Sequence, residues 1–504
     1  MFLDTGKIYN EYNKFIDLCV GIIACALAFV ILCFIRRVFL VALKIIFLSL
    51  VALSLIFLGQ IFLLDSATNE AKEVHIAQNP NPNLSIFSKD NPNIIIFMLD
   101  AFTGSHFKIL QEANPSLNTM LDGFIYYDNT TTASSFTHTS LPSVFGGDYY
   151  SSYQINARNV ADLESERDNA IINIASNFLQ KGFRADFDIY AVNESRITNI
   201  LKSPHFSMKT NNEYYKKRFK ENHNFDLNDI LTQIKGDLNA DSLLSYGIFK
   251  NAPYSIRARI LVIEEARWRI HFGEVKASSH SLNLSTHHTA QLSTIIDDVA
   301  LGATQPTLKF IASGLTHDSF VVDIETCKPT LYPKDAMPEK YKDLIPKMFW
   351  GKYNSEVCAF REIGRFIEQI KALGIYDNTM IVITSDHGRA DSYPQLKASG
   401  NNFPGYYSDT LLMIKNFGLR GELKTDSRLM INSDIASIIC SHIGGCANVP
   451  PNILQNYPQN REVVHFYPKY FQGQKNPKDK YAPHSIWKVK GNIYDPQNWQ
   501  KIGE

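Results

Sequence analysis

The chain is 504 residues long and carries 50 basic and 50 acidic side chains, a formal net charge of zero. That balance gives no electrostatic footing for a DNA or RNA partner. The length exceeds one average domain and is accounted for by a single large α/β domain with a membrane anchor.

Leu18 to Ile35 is uncharged, and Ile45 to Leu64 is again uncharged at the length a spanning helix needs. Arg36, Arg37 and Lys44 lie between them and would hold the turn on the cytoplasmic side, leaving everything after Asp65 outside. Residues 1–64 are therefore expected to form a transmembrane helical hairpin. A cleaved signal peptide is the rival reading, weakened by two consecutive spans and no small-residue cleavage site. Residues 65–92, with Asn79-Pro-Asn-Pro-Asn, read as a linker.

The catalytic domain is expected over 93–460. Asn93–Leu99 is a continuous apolar run that reads as a buried strand and ends on Asp100. Gly104–Glu112 reads as a helix and Gly123–Tyr127 as a strand entering a hydroxyl-rich segment, Thr130 to Ser140, which runs into Leu141-Pro142. Ile171–Gln180 is helical and Phe183–Tyr190 a strand, the alternation of a βαβ sheet. Residues 201–301 break this rhythm and read as an insertion that would carry acceptor specificity. Its Lys216-Lys217-Arg218 run fits either a membrane contact or a solvated face.

Thr307–Ser313 resumes the sheet and delivers His317 and Asp318. Tyr353–Ala372 has apolar residues at helical spacing, and Thr379–Thr384 is a second buried strand, ending on Ser385-Asp386-His387-Gly388. Thr410–Ile414 reads as a strand and Ser433–Ile443 as a helix. Residues 461–504 form a C-terminal extension with edge-lying strands at Glu462–Tyr470 and Ile486–Tyr494. Cys327, Cys358, Cys440 and Cys446 admit two disulfides, Cys440 with Cys446 and Cys327 with Cys358, or four buried reduced thiols.

Ligands bind at the carboxyl ends of strands in open α/β sheets. Asp100, Asp386 and His387 can therefore converge on one ion, and a mixed oxygen and nitrogen set suits Zn²⁺ or Mn²⁺ better than Ca²⁺. A threonine hydroxyl is a poor nucleophile until a metal stabilises its alkoxide. Taken singly, each motif is also compatible with a solvated turn.

Strand-Asp100, Thr137-His138-Thr139-Ser140-Leu141-Pro142, an isolated His317 and Ser385-Asp386-His387-Gly388 in that order resemble the sulfatase-like branch of the alkaline phosphatase superfamily. The resemblance is to its membrane-anchored lipoteichoic acid synthases and phosphoethanolamine transferases in particular. It implies an α/β fold with a mostly parallel sheet flanked by helices, and a divalent metal held by Asp100, Thr137, Asp386 and His387. Thr137, preferred over Ser140, would be the nucleophile and form a phosphothreonine. His317 matches a histidine that contacts the substrate phosphate or a second ion.

The departures matter as well. Val144 stands where formylglycine sulfatases carry an arginine, which disfavours that chemistry, and Ala101 replaces the second sulfatase aspartate. Arg389 occupies a transferase glutamate position and no histidine follows His387 until His442, so one ion fits better than two. Arg389 would instead clamp a phosphate, while His138 points into the pocket or away from it. The resemblance implies a phospholipid donor, a surface glycan or lipid acceptor, and a catalytic domain on the outer face of the cytoplasmic membrane. An ester hydrolase, and a metal-free envelope scaffold, are the alternatives.

Overall fold

The computed structural model describes residues 11–34, 40–41, 43–49, 51, 82–158, 160, 162–208, 212–230, 279–389, 405–469 and 480–503. The chain divides into two units, 1–77 with 228–276 and 78–227 with 277–504, and the second carries the sheet. In the first unit, α1 spans Glu11–Phe34, with Leu18, Val20, Ile22, Ile23, Leu27 and Phe29 exposed along it. Among the described residues no helix is long and apolar enough to cross a membrane. The transmembrane hairpin expected over 1–64 is thus not found among them; its first span falls on α1, and its second lies outside them from residue 52 onward.

The second unit is built on eight strands: β1 Asn93–Leu99, β2 Ile125–Tyr127, β3 Arg184–Asp188, β4 Phe206–Met208, β5 Thr307–Ser313, β6 Thr379–Thr384, β7 Leu412–Lys415 and β8 Lys424–Asp426. They lie side by side in the order β8, β2, β7, β6, β1, β5, β3, β4. From β6 to β4 every neighbouring pair is parallel, and β7 alone runs against both of its neighbours. Every residue of β1, β5 and β6 is buried, which explains the apolar runs of β1 and β6. The one charge inside the three strands, Lys309, faces Asp186 on β3 at 3.2 Å. Burial pulls its ammonium down to about 8, against the pull of Asp186.

Helices cover both faces. α2 is His106–Ala113, α3 Thr137–Gly146, α4 Leu163–Gln180, α5 Asn212–His223, α6 Ser279–Asp297, α7 Trp350–Ala372 and α8 Asp434–Cys440. Ile94, Ile96 and Met98 of β1 pack with Val144 and Phe145 of α3, Ile174 and Phe178 of α4, and Ile435 and Ile438 of α8. On the other face, Phe97 meets Phe366 of α7 edge-on, with centroids 5.1 Å apart, and Phe87 lies 5.7 Å from the same ring.

Several elements differ from the expectation. α3 begins at Thr137 although Pro142 lies inside it; a proline there forfeits the bond to the carbonyl four residues back, His138, and burial of Leu141, Val144 and Phe145 outweighs that loss. α4 starts at Leu163, earlier than its apolar spacing shows, because Asp162 caps it by accepting from Glu164 N. Within 201–301, β4 extends the sheet edge and α5 and α6 lie beside each other. The late strands form no edge of the central sheet. Glu462–Pro468, Pro483–Lys490 and Trp499–Gly503 make a separate three-stranded antiparallel sheet. The four cysteines of this unit form Cys327–Cys358 and Cys440–Cys446.

Phe366 joins the sheet to α7 and is 1% exposed. Phe366→Ala is expected to cost about 3–5 kcal/mol in chemical denaturation, and Phe366→Leu about half as much. A loss below about 1 kcal/mol for the alanine variant would mean that α7 is held by other contacts.

Candidate active site

Two adjacent strands end together. Asp100 follows β1, Asp386 and His387 follow β6, and all three are buried at 5%, 0% and 2% exposure. Their ligand atoms lie within 4.8 Å of one another. His387 Nε2 is 3.7 Å from Asp100 Oδ1 and 3.5 Å from Asp386 Oδ2. Thr137, the first residue of α3, reaches into the same space, its Oγ1 3.2 Å from His387 Nε2 and 3.5 Å from Asp100 Oδ1. The sheet therefore brings Asp100, Thr137, Asp386 and His387 together.

Backbone contacts fix these side chains. Asp386 Oδ1 accepts from the amides of Ala101 at 3.1 Å and His387 at 2.9 Å, so each strand end steadies the other. His387 Nδ1 is 2.7 Å from the Gly388 carbonyl, which commits that nitrogen to the proton and turns Nε2 toward Thr137. The Asp386 carbonyl accepts from Ser140 Oγ at 2.6 Å and Asn432 Nδ2 at 2.7 Å, and Thr132 Oγ1 lies 2.6 Å away. Ser140 is fully buried in this network, so Thr137 is the hydroxyl of the pair that faces the carboxylates.

The electrostatics call for a cation. Burial, and then the nearby charge of Asp386, push the Asp100 carboxyl up to about 7, against the pull of His387, the Tyr190 hydroxyl and Arg389. Asp386 Oδ2 is shut away from solvent and has no hydrogen-bond partner among the described residues. A buried acceptor without a donor, beside a second carboxylate and an imidazole, fits a divalent ion. The ligand set suits Zn²⁺ or Mn²⁺.

The other expected residues are placed less uniformly. Arg389 is buried and its guanidinium pairs with Asp318. Burial pushes the Asp318 carboxyl upward, but the Arg389 hydrogen bond and charge hold it below the ordinary range. His317 follows β5, its Nδ1 3.3 Å from the Asp318 carbonyl. His138 is bonded to Arg167 of α4, 2.9 Å from Nδ1, and burial, then the charge of that guanidinium, pull its imidazole below the ordinary histidine range. It is thus engaged with the scaffold rather than with the carboxylates.

Other residues at this rim carry no motif. Tyr190, just beyond β3, donates to Asp100 Oδ2 at 2.5 Å. Lys352 Nζ donates to Thr103 Oγ1 at 2.6 Å and lies 3.5 Å from Glu356, whose other oxygen is 2.9 Å from His106 Nδ1. This buried charge network backs the loop after Asp100. His288 of α6 lies where a Gly314 side chain would stand, 2.5 Å from its Cβ position. Phe136, Tyr407 and Tyr467 form an aromatic wall beside His387. Strand-end position was the available signal for Tyr190; the rest had none.

A buried pair of carboxylates and a histidine at the carboxyl ends of a mostly parallel sheet, with a hydroxyl at a helix start, make up a candidate metal-assisted active site. The profile of the Sulfatase family matches residues 92–445, and the chain belongs to that family. It is a sulfatase-like enzyme acting on sulfate or phosphate esters, and such enzymes are metal-dependent. Among curated proteins no sequence matches. Similar solved structures include a phosphonate monoester hydrolase from Silicibacter pomeroyi, 13% identical over 80% of this chain and 85% of that one, TM-score 0.45. The phosphonate monoester hydrolase of Agrobacterium radiobacter is 12% identical over 82% and 88%, TM-score 0.41. A protein in the alkaline phosphatase superfamily from Vibrio parahaemolyticus is 12% identical over 84% of each chain, TM-score 0.41.

Two outcomes follow from this geometry. A carboxyl raised to about 7 stabilises the metal-free fold at low pH, and that contribution is lost as pH rises through 7. Metal binding must displace the proton, so the melting-temperature rise on adding Zn²⁺ or Mn²⁺ should be larger at pH 8 than at pH 6. A rise that is the same at both would show that Asp100 takes no part. Removing the hydroxyl that orients Asp100, in Tyr190→Phe, should weaken metal binding by about tenfold in competition with a chromogenic chelator.

Proposed function

We propose that the chain is a phosphotransferase that moves a phospho-headgroup, phosphoethanolamine or phosphoglycerol, from a membrane lipid to a cell-envelope glycan or lipid through a phosphothreonine at Thr137. The single observation that carries this reading is the position of Thr137 Oγ1, 3.2 Å from His387 and 3.5 Å from Asp100 at the start of α3. Asp100, Thr137, Asp386 and His387 would hold the ion, which when bound stabilises the alkoxide and neutralises charge on the phosphoryl oxygens.

The residues of the chain supply the rest. Thr137 Oγ attacks phosphorus, the bond to the lipid oxygen breaks, and that oxygen leaves as the diacylglycerol hydroxyl after taking up a proton. An acceptor hydroxyl then attacks the same phosphorus and restores Thr137. The N-terminus of α3 favours the anionic group. Arg389, fixed by Asp318, and His317 on the adjoining turn would bind its oxygens. Exposed apolar side chains along α1 support an anchor near a lipid donor, which raises its effective concentration. The two disulfides support an outward-facing, oxidising location.

Membership of the Sulfatase family favours a second reading in which water is the acceptor and the enzyme is a phosphate- or sulfate-ester hydrolase. Both readings share the first step. The metal-free scaffold gives way to the enzyme reading. Incubation with vesicles containing phosphatidylethanolamine or phosphatidylglycerol, followed by peptide mass spectrometry, should place the headgroup mass on Thr137 and leave Thr137→Ala unlabelled. Headgroup release by Thr137→Ala at the wild-type rate, or no adduct from either lipid while small esters are cleaved, would overturn the transferase.

A further inference from the structure

A cavity of about 460 Å³ opens between the turn after β2, the loop after β8 and the end of the strand Pro483–Lys490. Lys108, Arg428, Arg461 and Lys490 line it, with Asp128 as the carboxylate among its lining residues. Three of the cations are held in place: Lys108 by Asp128 at 2.7 Å, Arg428 by Asp426 at 2.6 Å and Arg461 by Asp434 at 2.6 Å. Arg428 uses Nε and Nη2 for that pair, and its Nη1 makes no hydrogen bond among the described residues. Lys490 is exposed and has no ion-pair partner among the described residues.

The remaining lining is polar and aromatic. Gln459 and Asn460 present exposed amides, and the Tyr457 ring lies near both guanidiniums, 5.2 Å from Arg428 and 5.6 Å from Arg461. The walls come from distant parts of the chain and are clipped together by one buried side chain. Asn129 Nδ2 donates to the Ser427 and Gly491 carbonyls, each at 3.1 Å, and its Oδ1 accepts from Ile493 N at 2.9 Å. The cavity is thus pre-formed. Tyr494, another lining residue, donates to Asp409 at 3.0 Å, and Asp409 takes Ser105 Oγ at 2.5 Å in the loop after Asp100. One hydrogen-bonded layer therefore separates this cavity from the catalytic rim.

We propose that the cavity is a second binding site, distinct from the metal centre, for a sulfated or phosphorylated saccharide unit. Its volume falls within the range of small-ligand sites, and Leu429 is its one aliphatic lining residue beside four cationic ones. The Arg428 guanidinium and the Lys490 ammonium suit the tetrahedral anion, while Arg461, bonded to Asp434 and to the Leu429 carbonyl, adds positive charge to the wall. The amides match ring hydroxyls, and a tyrosine gives the sugar a flat contact. The inference stands on this cavity alone and is independent of the role of Thr137.

Titration calorimetry of the full chain with glucose 6-sulfate, glucose 6-phosphate and glucose tests it. Saturable binding of one or both charged sugars, absent for glucose and weakened by salt, is expected, and the better of the two identifies the anion. The double variant Lys490→Ala/Asn460→Ala, altered only at exposed positions, should bind about tenfold more weakly while cleaving 4-nitrophenyl phosphate or sulfate at the unaltered rate. Equal binding of glucose, no saturation below about 10 mM, or unchanged affinity in the double variant would overturn the proposal.

Discussion

Two carboxylates forced together out of water govern this structure. Asp100 and Asp386 lie on neighbouring strand ends, both buried, and one carboxyl is lifted to about 7 in consequence. Like charges in a poorly polarisable setting are unfavourable unless a cation or a proton joins them. The parallel pairing of β1 with β6 brings the strand ends into register. The amide of Ala101 donating to Asp386, and Ser140 and Asn432 donating to its carbonyl, then prevent the carboxylates from separating. The repulsion is built in by the backbone, so the centre is prepared for an ion before one arrives.

The layers around the sheet convert that local arrangement into a site. α3 packs Leu141, Val144 and Phe145 into the core, and this anchoring presents Thr137 from its first turn. β5 and its turn bring Asp318 to Arg389, fixing a cation close enough to act on Asp100. Tyr190 arrives from β3, two strands from β1. Each contributor comes from a different strand or helix, so the constellation depends on the whole domain being folded.

The parts readable from the sequence were those with a local pattern. Apolar runs marked β1 and β6, and Asp100, Asp386 and His387 sit immediately after them, so position alone pointed to these three as candidates. Thr137 came from the order of motifs, yet its helix did not, because Pro142 and the hydroxyl residues argue locally against one and only tertiary burial reverses that. The polar first half of α4 hides its start. The C-terminal strands alternate as any half-buried strand does, which cannot distinguish an edge of the main sheet from a sheet of their own. Tyr190, Asn432 and Lys352 act through contacts with residues remote in sequence, and a single tyrosine, asparagine or lysine carries no period by which to find it.

The Cys327–Cys358 bond has a meaning beyond stability. It fastens the segment that follows Asp318 to α7, the helix whose Lys352 and Glu356 stand behind Thr103. The turn whose Asp318 holds Arg389 is thereby braced against the charged wall beside Thr103. Where thiols are kept reduced, a newly made chain would have the strand-end carboxylates and histidine without that brace, so the rigidity of this wall would mature with the redox history of the molecule.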